Sequence, residues 1–123
     1  MLIRDWMSSE LITVTPDTSM MMASKMLKEN KIRRLPVVDK KGKLVAIVTD
    51  RDINEASPSK ATSLDVHELY YLLSEIKVKE IMVTEPYTAL ATDTVEMAAR
   101  RMVKRHIGCL PVVDDDGKPI GII

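Results

Sequence analysis

Over the first fifty residues the spacing of apolar positions changes period twice. Leu11 to Thr15 alternates apolar residues with Thr, the two-residue period of a half-buried strand, and Pro16 ends the run. Met22, Ala23, Met26 and Leu27 then recur at helical spacing, which predicts a helix that Asp17, Thr18 or Ser19 can cap and that stops at Asn30 and Lys31. Leu35 to Val38 and Lys43 to Val48 are short runs rich in β-branched residues. Asp39-Lys40-Lys41-Gly42 between them is polar and ends in Gly, so the pair reads as a β-hairpin.

The same sequence of patterns returns later in the chain. Tyr87 to Ala91 predicts a strand, and Asp93-x-x-Glu96 reads as a capping box. Val95, Ala98, Ala99, Met102 and Val103 form a helical stripe, and Leu110 to Val113 with Ile120 to Ile123 form a second hairpin. A shift of 75 residues aligns Arg4 to Val48 with Lys79 to Ile123 without a gap, and 14 of the 45 pairs are identical. Met7 falls on Met82, Ala23 on Ala98, Ile32 on Ile107, and Leu35-Pro36-Val37-Val38-Asp39 on Leu110-Pro111-Val112-Val113-Asp114. A period this long, occurring twice, predicts a pseudo-symmetric pair and not an open solenoid.

The expected organisation is therefore repeat one over residues 1–53, a linker over 54–78 and repeat two over 79–123. In the linker, Asn54 to Lys60 is polar with Pro58 and reads as a loop, and Leu64, Leu69, Leu72, Leu73 and Ile76 mark an amphipathic helix packed on the rest. Ile3 to Met7 and Val78 to Met82 are matching lead-ins before each repeat's first strand. The fold class predicted is α/β in the α+β sense, two β-α-β-β-α repeats.

Composition narrows the functional classes. Eighteen Lys and Arg balance eighteen Asp and Glu, so no whole-chain field draws the protein to nucleic acid or to an anionic membrane, although Lys25 to Arg34 and Arg100 to Arg105 are locally basic. Cys109 is the only cysteine, which excludes an internal disulfide and fits a reducing, cytoplasmic setting. Arg4 and Asp5 interrupt the start where a signal peptide needs an apolar run, and no segment reaches the ~20 apolar residues of a membrane helix. With no Phe, one Trp and nine Met, the core must be aliphatic and thioether. No nucleophile with a base and no ligand-spaced metal set appears: His67 and His106 read as structural, and Asp114-Asp115-Asp116-Gly117 lacks the spaced ligands of a calcium loop. The expectation is a protein that catalyses nothing and carries no cofactor.

The Leu-Pro-Val-Val-Asp run, its Gly turn, and Leu44-Val45-Ala46-Ile47-Val48-Thr49 followed by Asp52 resemble the cystathionine-β-synthase (CBS) domain, here paired as a Bateman module. Met7, Pro16-Asp17-Thr18 and Ser57 to Thr62 resemble more narrowly the acetoin-utilisation group of that family. The resemblance implies two repeats packed sheet to sheet, with two clefts that take adenosine-type ligands: AMP, ADP, ATP, S-adenosylmethionine or NAD-type molecules. It also implies a homodimer built through the helices, a regulated protein or a downstream ACT-type domain, and no membrane.

On that implied frame, Thr49-x-x-Asp52 would lie where a strand enters a short helix, with open backbone N–H groups suited to phosphate and Asp52 accepting from a ribose diol. The same four residues also read as a capping box. Arg33 and Arg34 would stand at the cleft mouth; because strand neighbours face opposite ways, Arg34 is expected to point in. Tyr87, Ile107 and Gly108 would form the opposing wall around a flat adenine, and Cys109 would be a small core residue. The sequence reaches Ile123 before the counterparts of Thr49 and Asp52, so one competent site is expected. The alternative is a module kept purely for dimerisation, with Met20, Met21, Met22 and Met26 as its adhesive face and no ligand.

Overall fold

The computed structural model describes residues 1–57 and 65–123. Repeat one contains helix α1 (Met20–Glu29), the hairpin β1 (Arg34–Val38) and β2 (Leu44–Thr49), and helix α2 (Asp50–Ala56). Helix α3 (Val66–Glu75) connects to β3 (Val83–Thr84), β4 (Ala89–Leu90), helix α4 (Val95–Arg105), β5 (Pro111–Val113) and β6 (Pro119–Ile122). The strands form two three-stranded sheets, β1-β2-β3 and β4-β5-β6. This is the mixed α+β fold the patterns predict.

Both hairpins are built by the same local chemistry. Asp39 Oδ1 accepts from the N–H groups of Lys41 (2.8 Å) and Lys43 (3.0 Å), and Asp114 Oδ1 accepts from those of Asp116 and Lys118, each at 2.9 Å. The Lys43 and Lys41 bonds hold the Asp39 carboxyl below the usual carboxylate range. Gly42 and Gly117 close the turns at φ of 81° and 80°, a region open to glycine. The Asp114 run is thus a hairpin turn. Each hairpin also carries an irregularity at the same place, Val37/Val38 and Val112/Val113.

The apolar stripes bury two clusters, and the lead-ins cross between them. Val78 is fully buried in the first cluster, among Met20, Ala23, Leu35, Val37 and Val48. Ile3 is fully buried in the second, with Ala89, Ala98, Leu110 and Val112. The backbone repeats the exchange: Val78 donates to Thr18 O (2.8 Å) and Lys79 to Pro16 O (3.0 Å), while Ile3 donates to Asp93 O (2.9 Å) and Arg4 to Ala91 O (3.0 Å). Farther along, β3 joins β2 as the third strand of the first sheet, and Ser8 bridges to Ile122 beside β6. A Cβ at Gly121 would stand 2.9 Å from Ser8 O and 2.6 Å from Met7 Sδ, so the crossing segment needs glycine beneath it.

Several expectations change. The strand expected at Leu11 to Thr15 reduces to one parallel bridge, Val14 to Val37, because lead-in and hairpin bonds occupy most of the nearby backbone. Of the expected β4 run, Ala89 and Leu90 pair with β5. Helix α4 is capped by Thr94, whose Oγ1 accepts from Met97 N–H at 3.1 Å; Asp93 Oδ2 instead accepts from Leu90 N–H at 2.9 Å, so no Asp93-Glu96 box forms. Ser19 is the cap of α1. Asn54 to Ala56 belong to α2 instead of the expected loop, whereas Pro58 to Leu64, including most of the expected linker, lie outside the described residues. Leu73 and Ile76 of the connecting segment pack on the first core, as its amphipathic pattern requires.

Replacing Ile3 by Ala removes a fully buried side chain from the second cluster. The expected cost is about 2–5 kcal/mol, read as a lower urea midpoint at unchanged m-value.

Candidate functional site

Strand β2 runs directly into α2, and their junction holds Thr49 and Asp52 in a reciprocal cap. Thr49 Oγ1 accepts from Asp52 N–H at 3.1 Å, and Asp52 Oδ2 accepts from Thr49 N–H at 2.9 Å. The capping reading of these residues is therefore realised. The expected seat for phosphate on open N–H groups is not: Asp50 N–H donates to Arg33 O (2.9 Å) and Arg51 N–H to Asp50 Oδ1 (2.8 Å), so the first turn has already spent its donors. Asp52 nonetheless keeps a second carboxylate oxygen, Oδ1, without a hydrogen bond among the described residues.

That junction is one wall of a cleft of about 410 Å³, inside the ~300–1,000 Å³ range of small-molecule sites. Ile47, Thr49, Asp52 and Arg34 come from the first sheet and its helix. The facing wall is the crossing segment Val83-Thr84-Glu85-Pro86-Tyr87, together with Ile107, Gly108, Cys109 and Pro111. Six of the seven residues singled out from sequence thus share one concavity: Thr49, Asp52, Arg34, Tyr87, Ile107 and Gly108.

Arg33 is the exception. It lines a second cleft of about 340 Å³, with Ser8, Glu10, Leu11, Ile12, Lys31, Ile32, Pro36 and Ile122. The two clefts are related by the 75-residue shift: Ile122 takes the place of Ile47, Pro36 that of Pro111, and Ile32 that of Ile107. Arg34 lines both. Strand alternation sends the neighbouring arginines apart, which is why Arg33 leaves the first cleft.

Individual side chains in the first cleft have defined surroundings. Tyr87 is 46% exposed, and the Arg105 guanidinium lies 4.8 Å from its ring centroid, a cation–π contact that fixes the ring. A Cβ at Gly108 would meet Arg34 Nη2 at 2.8 Å, so glycine there gives the guanidinium its room. Cys109 lines the cleft half-buried and is not a core residue. Burial pushes its thiol pKa up, and the Arg34 charge pulls partly against that. Glu85 adopts φ of 52°, turning the chain from β3 along the cleft wall.

Ile47, Val83, Thr84, Glu85, Pro86 and Pro111 were not singled out from sequence. The 83–86 segment could not be, because only the crossing of the lead-ins brings it to Asp52. Among the described residues there is no group of three or more His, Cys, Asp or Glu placed to hold a metal ion, and no helix is long and apolar enough to cross a membrane.

Comparison with known proteins agrees with this architecture. The chain is 38% identical over 122 residues to a CBS domain-containing protein of Dictyostelium discoideum, covering 99% of this chain and 84% of the relative. The CBS domain pair of protein MJ0100, solved with 5′-methylthioadenosine and S-adenosyl-L-methionine, superposes with a TM-score of 0.82 at 33% identity, covering 100% of this chain and 88% of that one. CBSX2 of Arabidopsis thaliana in complex with AMP gives a TM-score of 0.79 at 35% identity, covering 99% and 88%. In the homoserine O-acetyltransferase of Methanococcoides burtonii, 33% identical over 121 residues, the chain spans 22% of the length. The CBS domain family matches residues 3–59 and 78–123, and the chain belongs to that family as a tandem pair.

Proposed function

We propose that this CBS pair is a regulatory module that senses an adenosine-containing nucleotide in the first cleft and performs no chemistry on it. The observation that carries the reading is the convergence of Asp52, Arg34, Tyr87, Ile107 and Gly108 on one concavity. Ile47, Val83 and Ile107 offer apolar walls to an adenine, and the free oxygen of Asp52 suits a ribose hydroxyl. Arg34 supplies the cation for a 5′ substituent. The adenosine compounds held by the MJ0100 pair and by CBSX2 support the same ligand class, AMP or S-adenosylmethionine among them.

A second copy is the partner this reading assigns to the helices. Val103 on α4 is 76% exposed, and Met97 on α4 and Met21 and Met22 on α1 are exposed too, an apolar surface suited to a homodimer. The module would work in the cytoplasm on an attached or separate regulated protein, an ACT-type domain being one such attachment. A dimerisation module without any ligand is the competing reading.

At a ligand concentration about a hundredfold above Kd, binding adds ~2.7 kcal/mol and raises Tm on the order of 10 °C. Asp52→Asn keeps an oxygen for the cap yet loses the charge, so it should retain Tm and lose most of the shift with AMP or S-adenosylmethionine. A flat response to every nucleotide would leave only the dimerisation reading. Cys109, the sole cysteine, gives an independent readout: iodoacetamide should modify it more slowly when the cleft is filled. Arg34→Gln should slow that reaction further at fixed pH, since removing the cation lets burial raise the thiol pKa more. Val103→Glu should convert dimer to monomer in light scattering.

A further inference from the structure

The two clefts share a backbone plan but not a charge. At three equivalent positions the second cleft has Lys31, Arg33 and Arg34 where the first half of the symmetry has His106, Gly108 and Cys109. Glu10 is the one acidic residue lining the second cleft, whereas Asp52 and Glu85 face Arg34 in the first. Among the described residues no carboxylate lies within ion-pairing distance of Lys31, Arg33 or Arg34. Arg34 is moreover half-buried at the boundary of both clefts, and its guanidinium donates no hydrogen bond to any described residue. A partly desolvated guanidinium without an acceptor is costly until an anion reaches it.

We propose that the second cleft is an anion site that takes the phosphate or pyrophosphate group of a ligand on Lys31, Arg33 and Arg34, and that Arg34 couples it to the first cleft. An anion in the second cleft draws the Arg34 guanidinium toward itself and leaves Asp52 and Glu85 less compensated. The first cleft then gains affinity for a cationic ligand and loses affinity for an anionic one. By linkage, a cationic ligand in the first cleft raises anion affinity in the second by the same factor. The anion site rests on residues outside the first cleft, so it stands or falls separately from the adenosine reading.

Titration calorimetry of the full chain tests it, with inorganic pyrophosphate as the probe, ADP as the nucleotide-borne source of the same group, and S-adenosylmethionine in the first cleft. Pyrophosphate should bind with a steep salt dependence, and Arg33→Gln and Lys31→Gln should each weaken it roughly tenfold, the value of one charged hydrogen bond. Both variants should leave Tm and S-adenosylmethionine binding without pyrophosphate as they were, and Asp52→Asn should spare pyrophosphate. Saturating pyrophosphate should tighten S-adenosylmethionine in the wild type and not in Arg34→Gln. If ADP binds through Arg33 while pyrophosphate does not, the anion is read only as part of a nucleotide and the site as stated is overturned. Pyrophosphate binding that ignores Arg33→Gln, or that falls equally with Arg100→Gln on α4, would also overturn it, as general attraction to basic surface. If no adenosine compound binds but Arg33-dependent pyrophosphate binding persists, the anion site holds and the first-cleft reading fails.

Discussion

Everything in this fold depends on a trade of lead-in segments between two copies of one repeat. Val78 completes the core of the first repeat and Ile3 that of the second, each fully buried and each anchored by backbone bonds of 2.8 to 3.0 Å to the other repeat. Burial of this kind contributes ~1.5–3 kcal/mol per large aliphatic side chain, so neither core is complete without the other half's first turn. The exposed Lys79–Asp17 pair at 3.3 Å accompanies the trade but adds little beside it. The trade also positions the site. Residues that leave the buried lead-in at Val83 run straight along the wall opposite Asp52, so the cleft is a by-product of closing the core.

Symmetry of backbone and asymmetry of side chains then divide the labour. The hairpins, their Asp-anchored turns and their irregularities are duplicated almost position for position, because each is dictated by local hydrogen bonding. Glycines mark where the copies diverge under pressure from the neighbouring repeat. Gly121 stands where Ala46 does in the other copy, and makes room for Met7 and Ser8; Gly108 replaces Arg33 and makes room for Arg34. Removing a side chain on one half thus admits one from the other.

Much of this was legible in the chain. The 75-residue duplication, the hairpins at β1-β2 and β5-β6 and the apolar stripe of α1 follow from periodicity, and the Thr49-x-x-Asp52 cap follows from local spacing. What periodicity could not carry was long-range pairing. It assigned strand to Leu11–Thr15, where a single bridge forms, and it could not say that a lead-in belongs to the opposite repeat. Asp93-x-x-Glu96 and Thr94 offer competing caps one residue apart, and Thr94 prevailed while Asp93 bonded backward to Leu90. Arg33 and Arg34 were adjacent in sequence and were assigned to one mouth, but the strand pleat separates them into two clefts.

A lone repeat of this design would have an apolar socket with nothing of its own to fill it, and an initial turn with nowhere in its own body to go. Two such units satisfy each other only by embracing, a bimolecular event at low concentration. Joining them in one polypeptide turns that embrace into ring closure, where the effective concentration of the second unit is on the order of millimolar. Duplication within a single chain is, on these grounds, less an elaboration of the fold than the condition for having it at cellular dilution.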